Sequence, residues 1–372
     1  DPVAVRALVR DARANGSDEL VLVKDGVLVG DWVFTAGRAP IQTMSITKSV
    51  LSLAVGVLVD AGKLDLDQPV STWFPEWKSG AHAKITVRHL LSHTSGLSEP
   101  ERTVELYRSR DFVAHALARP VEREPGTEFH YSNEGANLVS AVIARVSGER
   151  ADRFVARTLF APLGIGDFWW SLDRAGNAHG LAGLHLRPRE LARLGELIDR
   201  RGRWEGRQIV SEGWLERSTA QLASVQPNSK RLGLFWWLAP AWTRVEVDDA
   251  TVARWRDAGV DAAFIERVAP VRGKVFPSAS ALAAELRALF GDPALKEWTL
   301  QTTERGVPDA RFDFGPIDGV YSAGTLGQYL VVLPRDHLVA VRMRRAPKGR
   351  PDPHAPDPAF PDFVERVQGL LR

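Results

Sequence analysis

Ser45-Ile46-Thr47-Lys48 sets a hydroxyl and an amine three residues apart, which on a helix places both on one face. That spacing lets a nucleophile touch its base. A serine hydroxyl is a poor nucleophile until a neighbouring base takes its proton, and an amine stripped of water holds its own proton less tightly. The pattern alone is weak, because average usage of serine and lysine produces it by chance about once in a chain of this size. Its setting is stronger. From Ile46 to Val59 the chain is apolar at most positions, so the helix that Ser45 opens reads as buried on nearly every side. A lysine one turn into such a helix needs a purpose. Either Lys48 pairs with a buried acid, or it is the base for Ser45, whose place at a helix N-terminus also favours developing negative charge.

Tyr131-Ser132-Asn133 is the second candidate, in a chain with only four tyrosines, and it follows a turn at Pro125-Gly126. A phenol beside an ammonium is drawn toward the phenolate, so Tyr131 could relay the serine proton to the leaving group. Asn133 also reads as the cap of the helix that follows. His89 and His93 stand four apart on a helical pattern, but no third ligand follows at a suitable spacing, and His93 to Gly96 reads as a helix-ending turn. The expected chemistry needs neither metal nor cofactor.

The elements that must position these groups fall into two kinds. Pro2 to Ala14 carries apolar residues at helical spacing, and Glu19 to Phe34 reads as two strands joined at Asp25-Gly26. Tyr329 to Leu333 and Leu338 to Met343 form a second hairpin around Pro334 to His337, and Asp362 to Leu371 closes the chain as an amphipathic helix after a Pro-rich stretch, Pro347 to Pro361. Between them Ser45 to Ala61, Val87 to Ser92, Val104 to Ala118, Gly135 to Val146 and Arg189 to Arg200 read as helices. The expected fold is therefore α/β (α+β), an antiparallel sheet flanked by terminal helices with an inserted, mostly helical lobe. Its parts are a sheet lobe of 1–70 and 309–372, a helical lobe of 71–238 and a helical insertion of 239–308. A helix over Ser278 to Phe290, capped by Ser278 and ended by Gly291, belongs to the insertion.

Composition narrows the function further. The 372 residues carry 48 Lys and Arg against 46 Asp and Glu, scattered rather than gathered into a stripe, which argues against a nucleic-acid partner. The absence of cysteine removes disulfides, thiolate metal sites and cysteine nucleophiles. The longest apolar run, Val50 to Val59, falls well short of the roughly 18 to 20 residues of a membrane span. The chain starts at Asp1, compatible with a removed targeting peptide and so with a periplasmic or secreted protein; a cytoplasmic one stays open.

Together Ser45-x-x-Lys48 and Tyr131-Ser132-Asn133 resemble the first two motifs of the serine β-lactamase and penicillin-binding protein superfamily, in its class C-like branch. Ile85 to Leu97, Gly62 to Val70, Gly183 to Gly202 and Gly233 to Trp237 are similar to the same branch and read as scaffold. The relatives implied include family VIII esterases and 6-aminohexanoate-dimer hydrolases. The resemblance implies a third motif, Lys-Thr-Gly or a His-containing variant, for which Ser322-Ala323-Gly324 is the candidate. Its cation is missing, which moves the expected substrate from β-lactams toward a small neutral ester or amide. Gly324 would admit substrate to the strand, the N–H groups of Thr325 and Ser45 would form an oxyanion hole, and Asn133 and Ser322 would join the substrate contacts.

The expected protein is a serine hydrolase forming an acyl-enzyme at Ser45, acting on small esters. Linear amides, D-amino-acid peptides or slow β-lactam turnover are the alternatives within the class, and a catalytically silent binding protein is the alternative outside it. The 239–308 insertion is expected to border the cleft and restrict acyl-chain size, with surface decoration as the other reading. Trp169-Trp170 and Trp236-Trp237 would line an apolar pocket or serve as core.

Overall fold

Continuous apolar runs build the centre of the sheet, because successive side chains on a strand point to opposite faces and both faces are covered. The computed structural model describes residues 1–35, 37–100, 102–222, 229–291, 293–346 and 360–371. Seven strands, β1 (Glu19–Lys24), β2 (Val27–Val33), β3 (Arg231–Leu232), β4 (Trp237–Pro240), β5 (Ile317–Gly324), β6 (Gln328–Leu333) and β7 (Leu338–Met343), assemble in the order β2-β1-β7-β6-β5-β4-β3. The β1–β2 hairpin turns at Asp25 and Gly26, both with positive φ (53° and 72°), the conformation whose twist matches the flanking strands.

Both faces of the sheet are covered, which explains why β6 and β7 are buried at every position. Leu20, Leu22, Tyr329, Val331, Leu333, Leu338 and Ala340 share one core with Leu8 and Ala12 of helix α1 (Pro2–Ala14) and with Phe363 and Val367 near the C-terminus. On the opposite face, helix α4 (Pro188–Asp199) approaches so closely at Gly195 that a Cβ there would lie 2.5 Å from Val339 and 2.9 Å from Leu330. Helix α2 (Ile46–Asp60) is buried from Ile46 through Gly56 without a break, as its unpatterned apolar sequence requires.

Two helical expectations are corrected. Val104 to Ala118 is not one helix but two, Thr103–Arg108 and Phe112–Leu117. The first ends at its C-cap Ser109, and Asp111 caps the second by accepting from Val113 and Ala114 N–H, both at 3.0 Å. Helix α3 (Asn133–Ser147) starts before Gly135, and its cap is Ser132, whose Oγ accepts from Gly135 N–H at 2.8 Å, rather than Asn133. The helix over Ala279–Phe290 has the expected Ser278 cap and Gly291 end. Most of the Pro-rich stretch lies outside the described residues.

The chain divides into two compact units, one of residues 1–226, 231–239 and 319–372 and the other of 227–230 and 240–318. The second has a three-stranded sheet of its own, with Thr243–Glu246 between Val275–Phe276 and Arg311–Phe314, and a core around Trp255, Phe264 and Trp298. No helix among the described residues is long and apolar enough to cross a membrane.

Candidate active site

Ser45 is the N-cap residue of α2, yet its hydroxyl makes no capping bond, and Met44 before it holds a left-handed φ of 52°. The sharp entry leaves Oγ available at the head of a buried helix. One turn on, Lys48 is only 3 % exposed, and its Nζ donates to Ser45 Oγ at 3.3 Å, Asn133 Oδ1 at 3.0 Å and Leu181 O at 2.8 Å. All three acceptors are neutral, and none of the ion pairs among the described residues includes Lys48. The buried-acid alternative is therefore not what this lysine does.

Asn133 reaches Lys48 because it is the first residue of α3, where its side chain points off the helix end while Ser132 does the capping. Tyr131, just before the cap, lays its ring 4.8 Å from Lys48 Nζ. His93, which the sequence assigned to a scaffold turn, stacks on Tyr131 with ring centroids 4.4 Å apart at 26°. Its Nδ1 accepts the Ser132 N–H at 3.0 Å, so that nitrogen carries no proton. Complete burial, then Lys48 and His130, hold the His93 pKa well below its ordinary value, leaving the imidazole a neutral plate behind the tyrosine. His93 does take a turn conformation, with φ 57°.

The third candidate segment closes the site from the sheet. A Cβ on Gly324 would sit 2.7 Å from Met44 Cβ, 2.8 Å from Thr43 O and 3.0 Å from Ser45 N, so only glycine lets the end of β5 lie against the nucleophile's backbone. Thr325 follows in the exposed turn. Neither the Ser45 nor the Thr325 N–H bonds a protein carbonyl among the described residues. Ser322 is buried and differently occupied. Ser49 Oγ is the donor toward both Phe235 O at 2.6 Å and Ser322 Oγ at 2.7 Å. The Ser322 hydroxyl is thus engaged from the buried side by Ser49.

These groups border a recess of about 10 Å³, the space of a single water molecule, walled by His93, Leu232, Phe235 and Trp237. Among the described residues that line it, Lys48 is the one lysine or arginine. Trp237 fulfils the expectation of an apolar wall, whereas Trp236 and Trp170 are core and Trp169 is half-exposed, stacked on His185 at 3.4 Å. Four of the eight non-glycine residues with positive φ among those described, Met44, His93, Phe235 and Leu326, gather here. Such backbone strain concentrates where a site is held in shape by its surroundings. No cluster of potential metal ligands occurs among the described residues.

A β-lactamase family model matches residues 5–354. The 6-aminohexanoate-dimer hydrolase of Paenarthrobacter ureafaciens is 25 % identical over 221 residues, 54 % of this chain and 56 % of that protein. Esterase EstB of Burkholderia gladioli is 32 % identical over 143 residues, 33 % of this chain and 36 % of that protein. The matched stretches thus span between about a third and just over half of these curated relatives' own lengths. The crystal structure of D-alanine carboxypeptidase AmpC from Burkholderia cenocepacia superposes over the whole of both chains with a TM-score of 0.61 at 14 % identity, a likeness of fold.

Proposed function

The chain belongs to the β-lactamase family, a family of serine hydrolases that includes esterases and amidases, and we propose that it hydrolyses small neutral carboxylic esters through an acyl-enzyme at Ser45. The observation that carries this reading is the environment of Lys48: a buried amine with neutral partners, one of them the Ser45 hydroxyl. An amine so placed is poised to exchange a proton with the nucleophile rather than to neutralise an acid.

Ser45 Oγ attacks the ester carbonyl, forming the Oγ–C bond, while its proton passes to Lys48 or Tyr131. The Ser45 and Thr325 N–H groups receive the oxyanion. Collapse breaks the bond to the leaving alcohol, which takes up the proton, and water then attacks the acyl-enzyme with the same groups acting in reverse. A neutral acyl group is favoured, since the cation expected of the third motif is replaced by a Ser322 hydroxyl engaged with Ser49. Ser45→Ala should abolish hydrolysis of p-nitrophenyl esters and labelling by a fluorophosphonate; turnover above background in that variant rejects the mechanism, and an unlabelled native protein favours a silent binding role.

A second reading, cleavage of linear amides, is favoured by the relative named for 6-aminohexanoate dimers. Parallel assays of short esters, linear aminoacyl amides and a chromogenic cephalosporin separate the two from β-lactam turnover.

A further inference from the structure

Strand β7 sends Leu338 and Ala340 into the apolar core beneath the terminal helices, and Arg342 falls on the same face. The alternation calls for an apolar residue there, yet a wholly buried arginine occupies it. A guanidinium is expensive to bury and is retained where its fixed fork of donors is used. Here Nε donates to Ser17 Oγ at 2.7 Å, Nη2 to Asn15 O at 2.9 Å, and Nη1 to Gly327 O at 2.5 Å and Leu326 O at 3.3 Å.

Two of those acceptors belong to the turn that begins at Gly324. Gly327 N–H closes the turn on Gly324 O at 3.1 Å, with Leu326 at φ 72°, a conformation that glycine adopts freely and leucine does not. Strain of this kind survives only when neighbouring contacts over-determine it. Gln328, also wholly buried, fixes the next residue: its Nε2 donates to Gln42 O at 2.9 Å, three residues before Ser45, and its Oε1 accepts from Arg344 N–H at 2.7 Å.

We propose that Arg342 is a positioning residue, gripping the Leu326 and Gly327 carbonyls so that the strained turn presents the Thr325 N–H to the oxyanion formed on Ser45. The inference rests on the hydrolase reading above. Because an oxyanion contact strengthens in the transition state more than in the bound substrate, loosening the turn lowers kcat and leaves KM nearly alone.

Arg342→Lys keeps the charge but cannot span four acceptors. On a p-nitrophenyl ester its kcat should fall ~10- to 100-fold with KM changed less than about threefold, below the ~100- to 1,000-fold typical of deleting an oxyanion donor outright. The dissociation constant of phenylboronic acid, which forms a tetrahedral adduct on serine, should rise by a similar factor. A lower kcat with unchanged boronate affinity marks a smaller folded fraction and overturns the proposal, as does a native kcat. If Arg342→Lys does not fold, Ser17→Ala removes the Nε contact alone. A paired, smaller loss of kcat and boronate affinity then supports the brace, and native values of both overturn it. Native protein that neither cleaves the ester nor binds the boronate is a separate result, which overturns the hydrolase reading and the role of Arg342 with it.

Discussion

Lys48 meets three neutral acceptors at 2.8 to 3.3 Å and no acid among the described residues, which is what the proposed role of base to Ser45 requires. In the proposed mechanism, removing Lys48 takes the hydrogen-bonded base from Ser45, and removing the Tyr131 hydroxyl takes away the proposed relay while the ring still stacks on His93. Lys48→Ala and Tyr131→Phe should therefore each lower kcat by ~100- to 10,000-fold, the usual worth of a positioned acid or base. Single-turnover acylation of the purified variants is the check, and an acylation rate within tenfold of native in either one removes that residue from the mechanism. Ser45, Lys48 and Tyr131 could be picked out as candidates from sequence, because Ser45-x-x-Lys48 and Tyr131-Ser132-Asn133 are short contiguous patterns. His93, Ser49 and Arg342 could not. Each contacts a residue distant in sequence, and no motif marks a neutral histidine behind a tyrosine or a hydroxyl that donates to Ser322.

At the scale of elements, the sheet and the terminal helices were legible because their apolar runs and turn residues are local properties, and the family's fold accords with them. The boundaries around α3 were not, since the start of this helix is set from elsewhere in the chain. Glu99 Oε1 accepts from Ser132 Oγ at 2.6 Å and from Glu134 N–H at 3.2 Å, placing a carboxylate on the helix N-terminus. Glu134, on the first turn, is then buried beside that charge, with Oε1 2.8 Å from His115 Nδ1. Burial, reinforced by Glu99, pushes the Glu134 carboxyl up to about 8. The folded state thus holds a proton that the unfolded chain releases near the ordinary glutamate range. Stability should fall as pH rises from about 4.5 to about 8, by on the order of a few kcal/mol, with the full penalty present above that window. Glu134→Gln keeps the shape without the charge, so its melting temperature should exceed the native value at pH 8.5 and converge with it near pH 4.5. Parallel melting curves for the two proteins across that range would show that Glu134 is already ionised in the fold.

The whole chain is nearly neutral in net charge, and among its described residues one apolar core lies under the terminal helices and another within residues 240–318. The sequence marked the second region as an addition by its length and by its run of short helices. Its sheet was hidden, because strands such as Val275–Phe276 are too short to show a period. Trp255 organises that core. It is fully buried, packs edge-on against Trp298 at 5.4 Å and near Phe264 at 6.0 Å, and its Nε1 donates to Pro308 O at 2.8 Å. Truncation to alanine would open a large cavity and strand the Pro308 carbonyl, at a cost of about 3 to 5 kcal/mol. The core beneath the terminal helices shares no residue with this one, so the cost should fall on residues 240–318 alone. Calorimetry of Trp255→Ala should then show a new transition at lower temperature while the remaining one stays near the native position. A single transition displaced as a whole would mean that the two cores unfold as one cooperative body.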